Sequence, residues 1–251
     1  AGLAPLGLTS RPKDLATQQA AASVGQGLLI AKYNENFSRH KLVSSQVLLT
    51  TEDVVRRSHY QNAQQTLNKL LSLGVVPIIN ENDSVGTQEI RFGDNDRLAA
   101  RIAQAASAQT VILLSDVDGL YTADPAKSAD AERISEVRRI DARIRGMAQA
   151  DSSSGMGSGG MASKIEAARI ANSAGAALVI VSGLHDHPLA RLAAAPRIER
   201  CAHPISTRSE RPCHHGIGVV PMRPASMVIQ FFFEPGRRRR PWEHPVRRNH
   251  H

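Results

Sequence analysis

Cysteine is nearly absent from this chain of 251 residues: Cys201 and Cys213 are the only two. That is too few for a disulfide scaffold or for a four-ligand zinc site of the cysteine-rich type. Long apolar runs are missing as well. No stretch approaches the roughly 18 consecutive apolar residues that a membrane-spanning helix needs. The opening AGLAPLGLTSRPKD lacks a basic region followed by an apolar stretch and a small-residue cleavage site, so no secretory signal is visible. A reducing cytoplasm is the expected compartment.

Lysine is absent after residue 195, and this absence locates the charge. Residues 196–251 hold 11 Arg against four Glu, a net +7 out of the chain's +8. The preceding 195 residues are therefore close to neutral. The same segment carries both cysteines, Trp242, six of the ten His and eight of the 13 Pro. Its composition predicts an Arg/Pro/His-rich tail, poorly ordered and outside the main core, with one strand-like run at Ser226–Phe233 among breakers. The rest, with 41% apolar and 22% charged residues overall, has an ordinary globular balance.

What is present in the body is an alternation. Compact apolar runs at Val43–Leu49, Val75–Ile79, Thr110–Leu114 and Ala177–Val181 suit strands buried on both faces of a parallel sheet. Between them lie stretches at helical spacing: Leu15–Phe37, Thr51–Leu73, Asn95–Ala108 and Ala162–Ala174. Thr50 and Asp53 offer a capping pair for the second, and Gly74 a stop. The pattern predicts an α/β fold with a largely parallel sheet sandwiched by helices.

In such folds ligands bind beyond the carboxyl ends of the strands. Asn80-Glu81-Asn82-Asp83 follows one strand, Ser115-Asp116-Val117-Asp118 a second, and Ser182-Gly183 a third. These residue types also favour turns. Asp94-Asn95-Asp96 then opens a helix, where the same groups either cap it or bind an amino-bearing substrate: Asp83 an ammonium, Asn95 and helix N–H groups a carboxylate.

The Gly-rich stretch 151–164, DSSSGMGSGGMASK, formally contains GxGxxG. A helical pattern precedes it instead of a strand, and no Gly-Lys-Ser/Thr follows, so neither a dinucleotide fingerprint nor a Walker loop fits. It remains a run of small residues opening a helix, with Lys164 in the first turn. Free N–H groups favour phosphate there, and a lysine at that end calls for an anion. His185 and His187 read as a surface turn. Cys201, His203, Cys213, His214 and His215 fit no common metal spacing.

Taken together, LLTTEDVVRRSHYQNAQQTL, VPIINENDSVGTQEIRFGDNDRLAA, LLSDVDGLYTADP and SGMGSGGMASKIEAARIA resemble the glutamate 5-kinase branch of the amino-acid kinase family, across residues 1–195. The resemblance implies ATP-dependent phosphorylation of the L-glutamate γ-carboxylate, with Mg²⁺. It implies that Lys164 stabilises the transferring phosphoryl group and that Asp96 organises the catalytic lysines. Asp83, Asn95 and Asn80 would bind glutamate. Ser115, Asp116 and the run Ser158, Gly159, Gly160, Met161, Ala162, Ser163 and Lys164 would bind ATP. No residue is expected to hold a metal by itself. Feedback by proline and a homo-oligomer in the complete enzyme are further implications, whereas membranes and nucleic acid are not expected partners.

The family pattern opens with a strand, a Gly/Ser turn with a second lysine, a helix and a strand ending in a substrate loop. This chain begins where that loop would end. The expectation is thus a kinase domain incomplete at its N-terminus, followed by a tail whose texture suits an altered reading frame, and inactive as it stands. The alternatives are a non-catalytic nucleotide-binding fragment, a family kinase acting on another amino acid, and a nucleic-acid binder acting through its arginines.

Overall fold

The computed structural model describes residues 2–85, 95–123, 128–150, 160–194 and 227–231. Helix α1 (Leu15–Ser38) starts at Asp14, whose carboxylate accepts the Thr17 N–H at 2.8 Å. Strand β1 (Val43–Leu49) follows, then α2 (Thr51–Val55), α3 (Arg57–Ser72) and β2 (Val75–Glu81). Strands β1 and β2 pair in parallel from Val43↔Val75 to Leu49↔Glu81. Helix α4 (Asn95–Ala105) leads to β3 (Thr110–Ser115), and a hairpin is made by β4 (Leu120–Tyr121) and β5 (Arg133–Ile134). Then come α5 (Ala142–Ala150), α6 (Met161–Ser173), β6 (Ala177–Ser182), α7 (Pro188–Ala194) and β7 (Met227–Phe231). A second parallel sheet has the order β6-β3-β7.

Helix α4 joins the two sheets. Its Leu98, Ile102 and Ala105 pack with Leu49, Val54 and Leu67 over the β1–β2 sheet. Its Ala99, Ala100 and Ala103 pack with Ala167, Ala171, Val111 and Leu113 against α6 and β3. An amphipathic helix shows one apolar stripe, and a helix with two is a buried one. Leu120, Ile144, Met161 and Ile165 form a third cluster that fastens the hairpin and α5 to the start of α6.

Several expectations need correction. Only β3 is buried along almost its whole length; β1 and β2 are half-buried. The helix along β1 is the cause, because α1 is rich in Ala, Gln and Gly and buries only Ala21. It meets β1 partly through polar contacts, Ser44 to Asn34 at 2.5 Å among them. The single helix expected over Thr51–Leu73 is broken at Arg56, whose ψ of 123° is extended. The bend lets His59 Nδ1 reach Asp53 Oδ1 at 3.0 Å, whereas residues six apart point away from each other on a straight helix. The strand-like run of the tail lies at Met227–Phe231, in parallel register with β3 from Thr110↔Met227 to Leu114↔Phe231. These five residues thus join the main sheet instead of standing apart from it, because β3 leaves one edge open to an apolar run. The remainder of 196–251 lies outside the described residues.

Gly74 ends α3 with φ +72°, as its place before β2 predicts. Where α4 ends, Ser107 takes the same left-handed conformation at φ 51°, and the Ala108 N–H reaches back to the Ala103 carbonyl at 2.8 Å.

The capping pair at the head of α2 yields a prediction. Asp53 Oδ2 accepts the Thr50 N–H at 2.8 Å and the Thr50 hydroxyl at 2.7 Å. Burial alone would raise the Asp53 pKa, but these bonds and His59 outweigh it and hold the carboxyl below its ordinary value. A depressed pKa means the stabilisation is present above the usual carboxylate range and is lost as pH falls through it. Asp53→Ala is expected to lower stability by about 1 kcal/mol at neutral pH. In urea unfolding, the gap between wild type and variant should close as pH drops below about 4.

Candidate functional site

Two helix N-termini meet in this fold. Each is antiparallel to the strand that follows it, and each leaves backbone N–H groups of its first turn without helical partners. Asp96 lies in the first turn of α4 and Lys164 in the first turn of α6. Their side chains are 2% and 3% exposed, and Lys164 Nζ lies 3.1 Å from Asp96 Oδ2. The positive helix ends favour the aspartate and oppose the lysine. The anion that Lys164 calls for is thus supplied, in the resting protein, by Asp96.

Ser163 completes the junction. Its hydroxyl lies 3.0 Å from Asp96 Oδ2 and 2.8 Å from the Gly160 carbonyl. A serine has one hydroxyl proton. Toward two acceptors it either shares that proton or alternates between them, so the Gly160 backbone and the Asp96 carboxylate are coupled through one hydrogen. An ammonium group carries three N–H donors, and phosphate oxygens are strong acceptors for such charged donors.

The other expected residues surround this pair. Ser115 closes β3, 3% exposed, and donates to Asp116 at 2.9 Å. Its carbonyl accepts the Gly183 N–H at 2.6 Å, which fixes the end of β3 to the turn after β6. Gly160 caps α6 in extended conformation, followed by Met161 and Ala162. Asn80 lies near the carboxyl end of β2, and Asp83 stands two residues past Glu81. The Asn82 N–H continues the strand pairing to the Leu49 carbonyl at 2.8 Å. Asn95 opens α4 beside Asp96. Ser158, Gly159 and the connection 86–94 lie outside the described residues.

The structure thus brings Asp96, Ser163, Lys164 and Gly160 into direct contact, a grouping 64 or more residues apart in sequence for Asp96. It sets Asn80, Asp83 and Asn95 at the same edge of the fold without a bond that assigns them a shared ligand. It also singles out Glu81, a carboxylate only 9% exposed at the end of β2. The sequence does not separate Glu81 from its polar neighbours; period-two alternation, which turns it to the opposite face from Asn80 and Asn82, is the signal that does.

The class of protein these features define is an α/β protein with a lysine and paired helix N-termini at the carboxyl edge of parallel strands, where anionic ligands bind. The model of the amino acid kinase family matches residues 2–182, and the chain belongs to that family. The glutamate 5-kinase of Salinispora arenicola is 58% identical over 184 residues, 72% of this chain and 49% of the relative. That of Streptomyces coelicolor is 54% identical over 185 residues, 74% and 49%. The glutamate 5-kinase of Frankia casuarinae is 52% identical over 209 residues, 83% and 55%. That last likeness continues past residue 195, beyond the change in composition. The chain spans about half the length of these curated relatives. No described helix is long and apolar enough to cross a membrane.

The buried pair can be tested on its own. Asp96→Ala removes the carboxylate that faces the buried Lys164 ammonium, and should destabilise the protein by about 3–5 kcal/mol. Lys164→Met in that background is expected to recover much of the loss, because the buried charge goes with it. A double-mutant cycle by urea denaturation reads this directly. Additive losses would show that the two groups do not interact.

Proposed function

We propose that residues 2–182 carry the phosphoryl-handling site of a glutamate 5-kinase, which transfers the γ-phosphoryl group of ATP to the γ-carboxylate of L-glutamate and leaves ADP. The observation that carries this reading is the buried Lys164–Asp96 pair at the head of α6. Phosphoryl transfer needs placement and neutralisation of spread negative charge more than it needs covalent chemistry. Lys164 and the two helix ends supply positive potential. Asp96 and Ser163 hold the lysine against rotation. A general base is unnecessary, because the attacking carboxylate is already ionised at neutral pH.

The remaining assignments belong to the same reading. Asp83 takes the substrate ammonium, and Asn95 with Asn80 its carboxylate end. Ser115, Asp116 and the run Ser158–Lys164 take ATP. Mg²⁺ suits this site as a companion of the nucleotide phosphates. Bound there, Mg²⁺ screens phosphate charge. Cytoplasmic residence, a homo-oligomer and feedback by proline are parts of the proposal supported only by the likeness to the glutamate 5-kinases.

Calorimetric titration tests the lysine first. Lys164→Ala should weaken ATP binding about tenfold, the equivalent of one lost charged contact, and leave adenosine unchanged. Equal effects on both ligands would sink the assignment. Substrate identity is read with residues 2–182 spliced into a full-length glutamate 5-kinase, trapping the acyl phosphate with hydroxylamine. Asp83→Ala and Asn95→Ala should raise the KM for glutamate with little change for ATP. A preference for aspartate or N-acetylglutamate would move the chain to another branch of the family.

A further inference from the structure

A concavity of about 360 Å³ lies along β6, and Lys164, Asp96 and Ser163 are not among the residues that line it. Its walls are the Val179–Ser182 stretch of β6 and the Pro188 and Leu192 side of α7, and the β4–β5 hairpin borders it. Among the described residues β6 pairs with β3 alone, and the cavity runs along this strand. Its volume falls in the range of small-molecule pockets, roughly 300–1,000 Å³.

Three cationic or potentially cationic side chains come to its rim from separate parts of the chain: Arg133 from β5, His185 from the turn after β6, and Arg191 from α7. One carboxylate, Asp118, stands among them, and it already accepts the Tyr121 hydroxyl at 2.6 Å. The stem of Arg133 lies across Gly119 so closely that a Cβ there would sit 3.1 Å from it. The guanidinium is thereby carried on a stem held by packing, which lowers the entropy lost on binding. An apolar wall with a mainly cationic rim is complementary to an organic anion: an apolar body against Val181 and Leu192, and a phosphate or carboxylate toward the two arginines.

We propose that this cavity is an accessory binding site for a small organic phosphate or carboxylate with an apolar body, separate from the phosphoryl-transfer site. The proposal does not depend on the substrate assigned above. Its position suits an effector: the turn that carries His185 begins at Gly183, which is bonded to the Ser115 carbonyl.

Phenyl phosphate is the probe, with inorganic phosphate and phenol as its two halves, titrated into the intact chain and followed by NMR shift changes. Phenyl phosphate should bind at millimolar concentration, and each half about tenfold more weakly. Arg191→Ala and Arg133→Ala should each cost about tenfold in affinity. Lys164→Ala should leave the shift changes around β6 and α7 in place. Both arginines are exposed, so their replacement leaves the core intact, and an unchanged far-ultraviolet circular dichroism spectrum verifies it. Binding lost with Lys164→Ala and kept in both arginine variants would place the anion in the transfer site and overturn the proposal. So would the absence of binding at millimolar probe.

Discussion

The bond between Lys164 and Asp96 is the constraint around which the rest of this structure is arranged. A charged pair with 2–3% exposure is tolerated only when its partners are held in place from several sides. Here the holding is done by two helices and a serine. Helix α4 presents Asp96 and α6 presents Lys164, and Ser163 ties the carboxylate to the Gly160 backbone. Each helix opens at the carboxyl edge of the sheets, so the pair, the strand ends and the polar loops share one side of the molecule.

The packing beneath explains why the pair stays together. Helix α4 is wedged between the sheets by two apolar faces, with leucine and isoleucine toward β1–β2 and alanine toward α6 and β3. Loss of either face would free α4 to tilt, and Asp96 would move with it. The half-buried β1–β2 sheet and the almost wholly buried β3 show where the stability of this arrangement is concentrated. It sits along the α4–α6–β3 seam.

Much of this was legible in the sequence because the signals are local. Apolar runs of five to seven residues marked β1, β2, β3 and β6, and Gly74 and the Thr50–Asp53 pair marked helix ends where the structure has them. Lys164 stood out because a lysine at a helix start is electrostatically misplaced. What the sequence withheld depends on contacts between distant segments. That Asp96 answers Lys164 came from family resemblance, not spacing. The bend at Arg56, which brings His59 to Asp53, has no glycine or proline to announce it. The pairing of Met227–Phe231 with β3 and the gathering of Arg133, His185 and Arg191 at one rim are likewise products of the fold. So is the burial of Glu81.

The alanine seam between α4 and α6 has a mechanical consequence. Ala99, Ala100 and Ala103 face Ala167 and Ala171 with almost no exposure. Such short side chains let two backbones approach closely and leave no long, adaptable groups to absorb sliding. The two helices therefore behave as one rigid strut, and the spacing between Asp96 and Lys164 is set by the strut rather than by either side chain. Motion of one helix must therefore carry the other with it, and the charged pair moves with both as a single unit.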